Sequence, residues 1–168
     1  MRNIRVELFR NDDLSYRFTS SQGPRGRVAA DRDALFAAID AEGAPAKTRV
    51  TFAGSDPLEH PDFPDLLERC VARGFSGYRL VTAGFGLAHA PVRGFLRDVE
   101  LELLVVFPSV DEASYHGAMR TKTRFEACRA GLEAAAQDGL RPYVVLPLMR
   151  WAERSLDATL AWLRTVPV

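Results

Sequence analysis

The sequence has little of what metal, redox and membrane proteins usually carry. Its 168 residues include only two cysteines and three histidines. Cys70 and Cys128 lie far apart, and neither has a cysteine or histidine at ligand spacing, so no zinc site or disulfide framework is visible. The N-terminal segment has no apolar core of a signal peptide, and no later apolar run reaches the length of a membrane span. We therefore expect a cytoplasmic protein that does not interact with membranes.

The charge and the glycines also exclude common function classes. The 22 basic residues balance the 22 acidic ones, and both kinds are interleaved along the chain. A neutral chain of this kind has no long-range field that would attract nucleic acid. The segment Gly84-Phe85-Gly86 follows a strand pattern but has no third glycine at the spacing of a dinucleotide-binding motif. No G-x-S-x-G nucleophile turn occurs either.

The chain does contain a regular alternation of strand and helix patterns. Apolar runs of strand length predict strands at 4–9, 49–53, 78–82, 101–107 and 142–148. Amphipathic patterns predict helices at 31–41, 63–73, 91–96, 123–137 and 156–164. Five βα units in strict alternation predict one α/β domain over residues 1–168, built on a parallel sheet.

Two architectures fit this alternation, a doubly wound sheet and an arc of a βα barrel. In both, ligands gather at the C-terminal ends of the strands, so the loops that follow the strands are the candidate site. All three histidines lie in these loops, but their spacing matches no metal motif. We interpret them as structural residues, and we expect Asp56 and Asp62 to cap helix starts.

Three segments follow one another in the order found in a known enzyme superfamily. Residues 50–67 read VTFAGSDPLEHPDFPDLL, residues 80–84 read LVTAG, and residues 109–126 read SVDEASYHGAMRTKTRFE. Together they resemble the radical S-adenosylmethionine (radical SAM) superfamily, whose second strand leads into Gly-Gly-Glu-Pro and whose third strand ends in Val-Thr-Asn-Gly. The resemblance covers nearly the whole chain. It implies an open partial TIM barrel of about five βα units, where the family core has six.

The same resemblance identifies what the chain is missing. The family carries Cys-x-x-x-Cys-x-aromatic-Cys after its first strand, and these three thiolates hold a [4Fe–4S] cluster. Aligning Phe18 with the aromatic position puts Asp12, Tyr16 and Thr19 at the three cysteine positions. Because oxygen side chains suit such a cluster poorly, we expect no [4Fe–4S] cluster and no radical cleavage of SAM by this chain.

The resemblance also implies a remnant of the ligand site at the strand ends. Asp56 stands where the family's glutamate holds the ammonium of SAM, and Ala83 replaces the asparagine of the third-strand motif. With a shorter carboxylate and no cluster iron to chelate the ligand, at most weak residual binding of SAM is implied, and we expect no cofactor. The candidate cofactor-binding residues are Gly54, Ser55, Asp56, Pro57, Thr82 and Ser109.

Four functions are consistent with the sequence. We favour a non-catalytic accessory, scaffold or substrate-binding subunit in a peptide- or small-molecule-modifying pathway. Its partner would be an active radical SAM enzyme, a precursor peptide or a second copy of the chain, since an incomplete barrel leaves an edge to cover. One alternative is a plain βα domain of another lineage, and a second is a radical SAM enzyme with replaced cluster ligands. A third is an enzyme or ligand sensor that kept a SAM-like or metal-binding pocket and uses it for non-radical chemistry. The acid–base candidates of that last alternative are Asp12, Asp56, Glu59, His60 and His116.

Overall fold

The structure is a computed structural model that describes residues 1–9, 29–119, 121–148 and 153–166. Within these residues, strands and helices alternate along the chain. The strands are β1 (Arg2–Glu7), β2 (Thr48–Ala53), β3 (Gly77–Thr82), β4 (Leu101–Val106) and β5 (Tyr143–Val145). The helices are α1 (Arg32–Asp40), α2 (Phe63–Ala72), α3 (Ala90–Asp98), α4 (Glu112–Met119), α5 (Phe125–Gln137) and α6 (Glu153–Leu163). Short 3-10 turns span Pro45–Lys47, Pro57–Glu59 and Phe85–Ala88.

The five strands form one parallel sheet whose order follows the chain, β1-β2-β3-β4-β5. This confirms the predicted α/β fold with a parallel sheet. The order contains no reversal of the kind that divides a doubly wound sheet into two halves. Because crossovers between parallel strands are right-handed, a consecutive order brings the connecting helices to the same face of the sheet.

One face of the sheet forms the hydrophobic core. Alternate strand residues belong to it, and α1, α2, α3 and α5 supply the side chains that pack against them. Phe52 of β2 meets Phe63 of α2 edge to face, with 5.3 Å between the ring centroids. Burying a large apolar side chain contributes roughly 1.5–3 kcal/mol, so this core is the main source of stability. The buried strand residues of this face include Val6, Val50, Phe52, Leu80, Leu103 and Val105.

The other face of the sheet, here called the open face, is polar at its centre. Arg49 of β2 and Arg79 of β3 both pair with Glu102 of β4, at 3.3 and 2.8 Å. Toward β5 the same face becomes apolar, and Tyr143 on the last strand is 65% exposed. Thr51 and Val106, which the strand register places on this face, are buried. The half-buried or exposed residues of the open face are Arg49, Arg79, Glu102, Leu104, Tyr143 and Val145.

Most predicted elements are present, with ends that differ by up to three residues. The fifth strand is shorter than predicted, because Pro142 and Pro147 flank it and proline cannot donate a backbone hydrogen bond. Helix α4 falls in a segment predicted as loop. Asp62 occupies the N-cap position of α2, as predicted, but its side chain makes no capping bond, and its carboxylate pairs with Arg32 of α1 instead. No helix among the described residues is long and apolar enough to cross a membrane.

Candidate functional site

The loop after β2 begins with two residues in the left-handed backbone region. Gly54 has a φ of +87° and Ser55 a φ of +50°. A Cβ on Gly54 would lie 3.1 Å from the carbonyl oxygen of Phe9, so glycine satisfies both the conformation and the close approach of the chain. Ser55 has a Cβ, so its left-handed backbone conformation is strained. Backbone strain of this kind persists only where the surrounding structure imposes it. The residue that follows, Asp56, is fully buried.

Asp56 is a carboxylate held by three hydrogen-bond donors. Its Oδ1 accepts from the Thr82 hydroxyl at 2.5 Å and from the Leu58 backbone N–H at 3.2 Å. Its Oδ2 accepts from the backbone N–H of Phe85 at 3.1 Å. Leu58 belongs to the loop after β2, whereas Thr82 and Phe85 belong to the end of β3 and the turn after it. This arrangement, the Asp56 clamp (Asp56, Leu58, Thr82 and Phe85), therefore joins two neighbouring loops at the C-terminal edge of the sheet. Asp56 also begins the 3-10 turn through its bond to Leu58, as its predicted role as a cap requires.

The end of β3 is shaped around this carboxylate. The Gly84 backbone N–H donates to the Thr82 Oγ1 at 2.9 Å, which orients the hydroxyl toward Asp56. Gly84 has a φ of +84°, and the Cys128 Sγ donates to the carbonyl oxygen of Ala83 at 2.7 Å. Burial raises the pKa of the Cys128 thiol and of the Cys70 thiol to about 12. Both cysteines have no exposed surface, which confirms the interpretation of them as small buried side chains.

The protonation of Asp56 is governed by its burial. Removal of the carboxylate from water raises its pKa to about 6, and the hydrogen bonds from Thr82, Phe85 and Leu58 oppose that rise. The negative charge of Glu59 raises the pKa further. The fold therefore carries a buried acid that titrates close to neutral pH, at the strand ends where ligands of βα proteins gather.

Arg124 borders the same loops, and the sequence did not single it out. Its guanidinium pairs with Glu59 and lies 4.7 Å above the ring of Phe85. Its backbone has a φ of +77° at the start of α5, which is an uncommon conformation for a residue with a side chain. The contacts of Arg124 with Glu59 and Phe85 join three segments that only the fold brings together. An arginine before a helix therefore does not predict them from the sequence.

Ser109, the sixth candidate residue, belongs to a different network. Its hydroxyl donates to the Ser155 Oγ of α6 at 2.8 Å and accepts from the Asp111 backbone N–H at 2.8 Å. The structure thus brings together five of the six candidate cofactor-binding residues, the run Gly54 to Pro57 and Thr82. It uses Ser109 to fasten the loop after β4 to α6.

The remaining candidates are dispersed. Asp12, Tyr16 and Thr19, the positions of the missing cluster cysteines, lie outside the described residues. His60 is buried, and its Nδ1 accepts from the Asp62 backbone N–H at 3.2 Å. His116 packs beside the Tyr115 ring, with 5.9 Å between the centroids. No group of three or more His, Cys, Asp or Glu side chains in the described part of the chain is arranged to hold a metal ion.

Asp56, as it is placed here, does not fit the ammonium of a bound SAM. Three donors already occupy its two oxygens, and the side chain has no exposed surface. A ligand would have to move the surrounding loops to reach either oxygen, because the side chain has no exposed surface. The assignment of these residues to a cofactor stays a prediction, and the geometry gives Asp56 a role in joining two loops.

No protein-family model matches the chain, and no curated protein matches it in a sequence search.

Proposed function

We propose that this chain is a non-catalytic, radical SAM-like protein that acts as an accessory, scaffold or substrate-binding subunit in the cytoplasm. The observation that carries the proposal is the Asp56 clamp. The residue that the resemblance assigns to holding SAM is buried and bonded to three internal donors. A side chain used in this way stabilises the fold without presenting a charge to a ligand.

The fold we propose is an open partial TIM barrel. Consecutive strand order and a single helix-packed face support it, since both are features of an arc of a βα barrel. The open face would then correspond to the interior of the barrel. Its ion-paired centre of Arg49, Arg79 and Glu102 remains half-buried at the sheet surface.

The exposed side chains of the outermost strand support a role that involves a partner. β5 is the last strand in the sheet order, and Tyr143 and Val145 on it are 65% and 38% exposed. Edge strands with uncharged, exposed side chains are sites where another chain is readily added. The partner we propose is an active radical SAM enzyme or its precursor peptide, with a second copy of the chain as the alternative occupant.

Co-purification with a defined partner tests this function. The chain is expressed in turn with each intact radical SAM enzyme and each precursor peptide of its source genome. The mass of any complex is measured by light scattering after gel filtration. We expect a stoichiometric complex that Tyr143→Glu on the open face disrupts. The matched control is Leu160→Glu, where an apolar side chain is also exposed but belongs to helix α6 instead of the sheet. The proposal is contradicted if the chain stays monomeric with every candidate partner. It is also contradicted if Tyr143→Glu and Leu160→Glu weaken the complex equally.

A further inference from the structure

A cavity of about 330 Å³ lies between the starts of α2 and α3, and it shares Leu58 with the Asp56 clamp. The segment after β2 contributes one wall through Leu58 and the first turn of α2, and the segment after β3 contributes the other through Val92 and Phe95. Ligand pockets in proteins hold about 300–1,000 Å³, so this cavity matches a molecule of one ring system.

Aromatic and aliphatic side chains form most of the cavity wall. Phe63 and Phe95 meet edge to face, with 6.5 Å between their centroids and an angle of 85° between their rings. Phe63 is held in place from below by Phe52, whereas Leu58, Val92 and Phe95 are only half-buried. A ligand in the cavity would therefore remove apolar surface from water without having to rearrange the core beneath it.

Prolines at the two helix starts make the cavity unsuited to anions. Pro64 and Pro91 are the second residues of α2 and α3, and both line the cavity together with Pro61. Free backbone N–H groups at a helix start normally attract negative charge, and proline has no N–H to offer. These positions present carbon instead of hydrogen-bond donors, so the wall favours an uncharged ligand.

His60 supplies the polar side chain of the cavity, among the described residues that line it. Its Nδ1 accepts the Asp62 backbone N–H, and its ring meets that of Phe9 with 5.0 Å between centroids. The imidazole is thus held in one orientation by contacts on two sides. A ligand whose ring is apolar on both faces and carries one polar group at its edge fits such a wall.

We propose that this cavity binds a small, uncharged aromatic molecule. Its volume accommodates one fused ring system, and the two phenylalanines match an aromatic face. The prolines remove donors that would hold an anion, and an apolar wall disfavours a charge of either sign. None of the six candidate cofactor-binding residues lines the cavity, although it shares the loop after β2 with them. Indole binding is measured separately from SAM binding and from complex formation, so a failure of this proposal and a failure of the proposed function are distinguishable.

Titration with a matched pair of probes tests this site. Indole is the uncharged probe and indole-3-carboxylate its anionic counterpart, and backbone amide shifts of the ¹⁵N-labelled chain report binding. We expect saturable shifts for indole at residues 58–64 and 91–95, and at least tenfold weaker binding of the carboxylate. Val92→Phe fills the cavity and should weaken indole binding at least tenfold, whereas the same exchange at Val145 on β5 should leave it unchanged.

A second variant keeps the test decisive if Val92→Phe fails to fold. Val92→Thr keeps the side-chain shape but adds a hydroxyl to the wall, so it should weaken indole binding several-fold. The absence of saturable shifts in the unaltered chain would overturn the proposal. So would equal binding of both probes, or binding that neither change at Val92 affects.

Discussion

Exchange of Asp56 for asparagine should remove a specific part of the pH dependence of folding. The carboxylate is fully buried, and burial raises its pKa from 3.8 to about 6. In the unfolded chain the same group returns to its ordinary value. Between the two values the folded chain binds more protons than the unfolded chain, so this group's contribution to stability is fully present at low pH and declines as pH rises through about 6.

The size of the effect follows from the shift. A rise from 3.8 to about 6 corresponds to about 3 kcal/mol between the neutral and ionised forms, of which about 2 kcal/mol falls between pH 4.5 and 7.5. Asparagine lacks this titration, and its amide NH₂ would face one of the backbone N–H donors of Leu58 or Phe85. That conflict costs about 1–3 kcal/mol at every pH.

Urea unfolding of both proteins across this pH range measures the difference. We expect Asp56→Asn to be less stable than the unaltered chain at pH 4.5, with a gap that closes by about 2 kcal/mol on going to pH 7.5. Thr82→Val removes a donor that lowers the pKa of Asp56, so it should move the pH-dependent region upward. Parallel stability curves for the unaltered chain and Asp56→Asn would refute the reasoning.

Three further results follow from the packing. Gly131→Ala should lower the free energy of unfolding by about 1–3 kcal/mol, because the added Cβ would lie 2.9 Å from backbone atoms of the turn after β3. A Cβ at Gly117 would have no atom within 4 Å, so Gly117→Ala should not lower the stability of the chain. Thiol titration with Ellman's reagent should find no reactive group in the folded chain and both Cys70 and Cys128 in urea, because burial raises their pKa. Glu102→Gln should change the free energy of unfolding by less than about 1 kcal/mol in a urea titration, because the ion pairs it breaks are partly exposed.

Periodic segments of the sequence predict their structure well, and short or proline-flanked segments do not. The amphipathic stripe over 63–73 identifies α2 because its apolar residues share one side of the helix. The buried residues of α4, Tyr115, Ala118 and Met119, also share one side, but this helix has only 8 residues and its short apolar pattern includes a single large side chain near its middle. Its position depends on contacts with Phe107 and Phe125 that only the folded chain supplies.

The candidate site was predictable in part for the same reason. The order of strands places the loops after β2 and β3 side by side, so Asp56 and Thr82 were expected near each other. The backbone donor from Phe85 and the ion pair between Glu59 and Arg124 involve no side-chain pattern along the chain. They depend on left-handed backbone at Gly84 and Arg124, and the sequence marks only the glycine as suited to it.

The most direct test of the central claim is calorimetric titration of the chain with SAM, with S-adenosylhomocysteine as the comparison ligand. The claim is that Asp56 serves the fold and that the chain is a non-catalytic accessory protein. We expect no saturable heat with either ligand. Saturable binding of SAM that is lost in Asp56→Asn, with that variant still folded in the urea series, would contradict it and would mean that the loops after β2 and β3 still form a ligand pocket.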